Sequence, residues 1–326
     1  MLSRIARGLC AMGRSVERAK TVARVLEVSH KMNLEREAVD DSGNIWVAIA
    51  EQFGVTASDP TEEAIYADLV VSRTHPYSVG RCIETLRSQG RGVRDHISEE
   101  LWGHLNQYFL AAGNPSFDQI VAMGRSDFNQ RIATFCDAFH GLADDTMIHG
   151  ESWQFLRVGR FSERAELICN IQDVKRKALA LAPETRDRPI AFHHWQALLR
   201  SLSGWEPYRR AHDARIVPER VLDFVLRAPE FPYSLGFGLD ALAQALAQVT
   251  SNSPAQNRLA RDIDALLSEI RALDCSRAIA EDRLEDTVRR LADGCRAISG
   301  AIEAAYFDRL DPAPRPLGDG RSLVPQ

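Results

Sequence analysis

Lysine is nearly missing from this chain: Lys20, Lys31, Lys175 and Lys177 are the only ones among 40 basic residues, and 45 acidic residues outnumber the whole basic set. The resulting net charge of −5 and pI near 6.0 speak against a protein that holds nucleic acid by neutralising phosphates. C-x-x-C is also missing. The six cysteines, at positions 10, 82, 136, 169, 275 and 295, are too widely spaced for a zinc site or a compact disulfide framework, which points to a reducing compartment. No apolar run approaches the roughly 20 residues that a bilayer span needs. There is no G-x-x-x-x-G-K-[S/T] phosphate loop, and the period-two alternation of β-strands is nearly absent. These absences leave no expectation of nucleic acid, membrane, metal or cofactor. At 326 residues, 45% hydrophobic and 26% charged, the chain is long enough to bury a substantial core.

What the sequence does contain is a repeated charged motif. Gly13-Arg14-Ser15-Val16-Glu17-Arg18-Ala19 returns as Gly159-Arg160-Phe161-Ser162-Glu163-Arg164-Ala165, 146 positions later (159 − 13). Two further matches keep the same order. Trp46 in Asn44-Ile45-Trp46-Val47-Ala48 aligns with Trp195 in His193-His194-Trp195-Gln196-Ala197. His75-Pro76-Tyr77-Ser78-Val79-Gly80 aligns with Phe231-Pro232-Tyr233-Ser234-Leu235-Gly236. The offsets grow slowly, as loop insertions would make them. The expectation is an all-α protein of two divergent, repeated helical-bundle halves packed together: 1–145, 146–310 and a flexible tail over 311–326, where Pro and Gly replace apolar residues. Arg4, Arg7 and Arg14 without an acid resemble a transit peptide, but their counterpart is 149–162, so the start of the chain is read as part of the fold and the protein as cytoplasmic.

Helical periodicity sets the local reading. Leu9, Met12, Val16, Ala19, Ala23 and Leu26 step by three and four, a buried stripe on an amphipathic helix, and Phe155, Val158, Ser162, Ala165 and Cys169 form its partner. Further helices are expected over about 43–53, 61–72, 76–110, 115–141, 190–203, 218–227, 232–249, 254–273 and 276–309, with Pro76 and Pro232 in first turns. Breaks are expected at Asp59-Pro60, Gly113-Asn114-Pro115, Pro183 to Pro189 and Ser251 to Pro254.

On a helix at 100° per residue, Arg14, Glu17 and Arg18 lie off the apolar seam. Their local pairings are worth only a few tenths of a kcal/mol. Two readings follow. In one, the motif helices meet near a pseudo-two-fold axis, Glu17 facing Arg160 or Arg164 and Glu163 facing Arg14 or Arg18, with Gly13 and Gly159 permitting close approach. In the other, the four arginines and two glutamates line a cleft for a carboxylate, phosphate or peptide terminus.

Other patterns carry less. Gly236-Phe237-Gly238-Leu239-Asp240-Ala241 fits G-x-G-x-x-A, but no strand precedes it. Glu27-x-x-His30 has Asp173 and Arg176 as its second-half counterparts, which do not complete a di-iron set. His193 and His194 point about 100° apart and are poor joint ligands. Pro76 to Gly80 lacks the leading glycine of a nucleophile elbow. Ser201 to Arg210 mixes hydroxyl, aromatic and paired arginine groups at a helix junction. It is read as a cap with a packing aromatic or as a binding surface, with Tyr208 and Arg209 as secondary candidates.

Met1-Leu2-Ser3-Arg4-Ile5-Ala6, both copies of Gly-Arg-x-x-Glu-Arg-Ala, and Ser201-x-Ser203-x-x-Glu206-x-Tyr208-Arg209 resemble the bacterial alpha-E domain family, to about Phe307. Cys10-Ala11-Met12 and Lys20 depart from its usual pattern. The resemblance implies an all-helical fold and marks Glu17, Arg18, Glu163 and Arg164 as the motif positions. It also implies companionship with circularly permuted ATP-grasp proteins and transglutaminase-like proteins, hence a peptide ligation or modification system. The expected role is a non-catalytic docking partner that uses the motif helices, with a peptide or carboxylate as a further ligand. An enzyme using Glu17 or Glu163 as general base and a structural homo-oligomer are the alternatives. Glu17→Gln separates the first two, since it would abolish turnover by an enzyme without loss of partner binding.

Overall fold

The structure, a computed structural model, describes residues 1–37, 45–57, 60–112, 115–180, 189–212, 215–249, 253–281 and 283–307; the side chains of 36, 37, 112, 172–180 and 189–194 fall outside the description. The expected tail over 311–326 and the side chains of His193 and His194 thus lie outside the described residues. Among the described residues all regular structure is helical.

In the first half α1 (Ser3–Glu37) is followed by α2 (Ile45–Phe53), α3 (Glu62–Tyr66) with a π turn over Ala67–Val71, α4 (Val79–Gly92), α5 (Glu99–Ala112), α6 (Phe117–Met123) and α7 (Arg125–Thr146). Then come α8 (Glu151–Ala180), α9 (Pro189–Ser201), α10 (Trp205–His212), α11 (Pro218–Arg227), α12 (Leu235–Val249), α13 (Pro254–Ala272), α14 (Cys275–Ala280) and α15 (Leu284–Ile302), the last ending in a π turn over Glu303–Phe307.

Several expected spans are divided. The stretch 76–110 is two helices, because Ser98 accepts a hydrogen bond from the Leu101 amide (3.1 Å) and restarts the chain as α5. The stretch 115–141 breaks at Gly124, whose φ of +94° only glycine adopts without strain. Ser116 and Gln119 form a capping box at the start of α6. The stretch 276–309 divides between α14, capped by Asp274, and α15. Within Ser201 to Arg210, read as a junction, α10 begins at Trp205. Pro76 and Pro232 are not in first turns: both lie three residues ahead of their helices, in turns that give their carbonyls another task.

The two long helices form the centre. Leu9, Met12, Val16, Ala19 and Leu26 of α1 are fully buried, as are Val158 and Ile171 of α8. Helix α1 packs on α8; α4 and α7 flank α1, α12 and α15 flank α8, and α9 and α2 each touch both long helices. Apolar residues from both long helices and their flanks join one core cluster.

At the end of α9 the chain turns through Ser203, the only non-glycine with positive φ (54°) among the described residues, and the Gly204 amide reaches back to the Leu199 carbonyl. A side chain in this left-handed conformation costs energy that glycine avoids. Ser203→Gly is therefore expected to raise stability by about 0.5 kcal/mol in urea unfolding; a loss of stability would show that the Ser203 hydroxyl contributes more than its backbone costs.

Candidate functional site

The repeated motif sits where α1 and α8 cross. A Cβ built on Gly13 would stand 2.1 Å from the Leu156 carbonyl oxygen, and one on Gly159 would stand 2.0 Å from that of Cys10. Each glycine thus lets the other helix's backbone into contact, and the charged residues one turn on are carried across the crossing.

There the two copies exchange partners. Arg164 donates from Nε and Nη2 to the two oxygens of Glu17, at 2.7 and 2.8 Å. Arg18 does the same to Glu163, at 2.6 and 2.8 Å. Both are bidentate fork pairs, a geometry only arginine provides. Each remaining guanidinium nitrogen meets the repeated Pro-Tyr-Ser segment. Arg18 Nη1 donates to the Pro76 carbonyl (2.9 Å) and Arg164 Nη1 to the Pro232 carbonyl (3.0 Å). The rings of Tyr77 and Tyr233 lie 5.1 and 4.1 Å from the same two guanidinium carbons. Ser78 and Ser234 pin these turns by donating to the carbonyls of Val70 and Ala228.

The outer arginines extend the pairing less tightly. Arg14 Nε is 3.4 Å from Glu163 and Arg160 Nε 3.8 Å from Glu17, and neither nitrogen makes a hydrogen bond. Arg14 instead donates from Nη2 to Glu166 (2.9 Å), which also accepts from the Ser299 hydroxyl on α15. Glu166 corresponds to Lys20 of the first copy (20 + 146), and Lys20 pairs with Asp137 on α7. The symmetry therefore holds at the centre and fails one turn further on.

The charges respond to this setting. Burial opposes ionisation of Glu17, but Arg164 and His140 outweigh it and hold the carboxyl well below its usual range. Burial also works against the charge on Arg18, which the Glu163 carboxylate overrides, so its pKa rises. Burial raises Glu166, with the Glu163 charge adding to the effect. His140, whose Nε2 is 3.7 Å from Glu17, is pushed down to about 4, chiefly by burial.

A pH dependence follows from His140. Its folded pKa lies below the ordinary 6.5, so the unfolded chain takes up a proton at higher pH than the folded one. Its contribution is complete above about pH 6.5 and drains away as pH falls towards 4, by on the order of 3 kcal/mol. Urea unfolding at a series of pH values should show this slope in the native protein and a flatter one in His140→Gln. Equal slopes would place the acid sensitivity elsewhere.

The structure thus brings Arg14, Glu17, Arg18, Arg160, Glu163 and Arg164 together as one network, but Arg160 and Arg164 do not line the cleft that Arg14 and Arg18 open onto. Tyr208 and Arg209 are not part of it. Tyr208 is buried, its hydroxyl bridging the Arg215 carbonyl and the Val217 amide, while Arg209 is exposed beside Glu206. Sequence reasoning missed Pro76, Tyr77, Pro232 and Tyr233 as network members, although the Pro-Tyr-Ser repeat was the signal. It also missed His140 and Glu166, which no short motif marks. Among the described residues no group of three or more His, Cys, Asp or Glu is placed to hold a metal, and no helix is long and apolar enough to cross a membrane.

The fold and network define an all-helical protein locked at its centre by a reciprocal glutamate–arginine exchange. Over residues 1–307 the chain matches the Alpha-E family, described as a predicted alpha-helical domain with a conserved ER motif, and it belongs to that family. It is also similar to uncharacterised proteins of Mycobacterium bovis and Mycobacterium tuberculosis, each 23% identical over an alignment of 339 positions that takes in 94% of this chain. The chain spans only 36% of the length of each. No solved structure matches it.

Proposed function

We propose that the protein is a non-catalytic helical partner in a cytoplasmic peptide ligation or peptide modification system. It docks a circularly permuted ATP-grasp protein or presents its peptide or amino-acid substrate, with transglutaminase-like proteins as further partners. The observation that carries the non-catalytic part is the closure of the motif: Glu17 and Glu163 are 0% and 1% exposed, and both oxygens of each are taken by a guanidinium. A general base must reach substrate and accept a proton near neutral pH, and Glu17, held well below the carboxylate range, does neither. The partner reading draws on the family resemblance and on the length of the mycobacterial relatives, in which the similar region is part of a longer polypeptide.

The test is to mix the purified chain with a purified ATP-grasp protein of the same organism and measure association by light scattering after gel filtration. A stoichiometric complex that changes ligase turnover is the expected result. Turnover by the helical chain alone, lost in Glu17→Gln, would establish the enzyme reading instead. Self-association without any complex would favour the homo-oligomer.

A further inference from the structure

All six cysteines are buried free thiols, and two of them meet. Cys169 on α8 and Cys295 on α15, 126 positions apart in the chain (295 − 169), bring their sulfurs to 3.9 Å, the one sulfur–sulfur hydrogen bond among the described residues. Cys169 stands three residues past Glu166 and Cys295 four ahead of Ser299, so each lies one helical turn from a member of the Ser299–Glu166 hydrogen bond. The thiol pair and that hydrogen bond are successive contacts between α8 and α15, at the edge of the network that Arg14 reaches through Glu166.

Packing alone explains a buried cysteine, which fills a core site as a small apolar residue. It does not require two thiols from separate helices to face each other. A disulfide holds its sulfurs about 2.05 Å apart, and rotation about χ1 moves each sulfur while its helix stays in place. The hydrogen bond to Cys295, with burial, holds the Cys169 thiol well above its usual range. The pair therefore rests as thiols at neutral pH and closes only under an oxidant.

We propose that Cys169 and Cys295 are a latent disulfide: oxidation by a peroxide joins α8 to α15 beside the glutamate–arginine network. The step balances with hydrogen peroxide as co-reactant. One thiol loses its proton, its sulfur attacks a peroxide oxygen, the O–O bond breaks and water leaves, so that a sulfenic acid remains. The second sulfur attacks the sulfenic sulfur, the S–O bond breaks, and the departing oxygen leaves as water with that thiol's proton. Two thiols give up two electrons, and one peroxide becomes two waters. Peroxide is small enough to reach the pair during local openings of the core. The bridge fixes α15 on α8 and holds Ser299 against Glu166, independently of any docking role.

Thiol counting on the full, folded chain tests it. After treatment with hydrogen peroxide the chain is unfolded in urea with N-ethylmaleimide present, digested, and its peptides read by mass spectrometry. Expected are two fewer free thiols than the native six and a peptide pair joined through Cys169 and Cys295. The urea midpoint of the treated chain should rise by about 1 M and return when dithiothreitol is added. Cys136→Ala should keep the bridge. Cys169→Ala and Cys295→Ala should each leave the other cysteine unbridged and show no rise, and either variant suffices if its counterpart fails to fold. Six free thiols after treatment, sulfinic or sulfonic acids at both positions without a linked peptide, or an equal rise in the Cys169 and Cys295 variants would overturn the assignment.

Discussion

Replacing Gly13 or Gly159 by alanine is expected to destabilise the protein by about 3 kcal/mol or more, the upper end of what overpacking costs. The new methyl would lie 2.1 or 2.0 Å from a main-chain carbonyl oxygen of the facing helix. A side chain could swing aside, but helical backbone can yield only if α1 and α8 separate, and separation stretches both fork pairs at once. Alanine's better helix propensity, worth about 1 kcal/mol, acts in the opposite direction and does not reverse the sign. Gly141 in α7 is the control. A Cβ there meets nothing within 4 Å, so Gly141→Ala should stabilise by about 0.5–1 kcal/mol. Urea midpoints of the three variants check the prediction, and a neutral Gly13→Ala would mean that the crossing is looser than described.

Arg164→Ala is the second large effect, a loss of about 3–5 kcal/mol, because it leaves the Glu17 carboxylate buried without its main partner. Arg160 and His140 remain near Glu17, but at 3.8 and 3.7 Å neither completes a fork. Arg18→Ala should cost less, since the Arg18 side chain is 27% exposed against 2% for Arg164, and water can replace part of what it gives Glu163. Adding Glu17→Gln to Arg164→Ala should recover part of the loss by removing the stranded charge. Glu17 also fixes a direction with acid. Its folded pKa is depressed, so its contribution is complete above the ordinary carboxylate range and is lost as pH falls through that range and below.

The parts of the fold and network legible in the sequence were those with a period or a repeat. The stripe from Leu9 to Leu26 predicts a helix buried on one side, and all six of its residues are buried. Ser15, Glu17, Lys20, Val22 and Val25 off the stripe are buried too, because α1 is central and no residue from Gly8 to His30 is exposed. The recurrence of Gly-Arg-x-x-Glu-Arg also made a cross-helix exchange readable, because local i to i+3 and i to i+4 pairs are too weak to explain it. Helix ends were less legible. Ser98 restarts a helix inside 76–110 and Gly124 breaks one inside 115–141, both within stretches that apolar periodicity reads as continuous. Pro76 and Pro232 looked like first-turn prolines by residue type, while their role depends on a carbonyl that any residue carries. His140 and Glu166 reach the network from tertiary placement.

The most direct measurement of the interlock is a double-mutant cycle on Glu163 and Arg18, using Glu163→Gln, Arg18→Gln and the double variant in urea unfolding near pH 7. A reciprocal clamp requires the two residues to act as a unit, with a coupling of about 1–3 kcal/mol. Additivity within about 0.5 kcal/mol would mean that the glutamate–arginine exchange does not hold the two helices together.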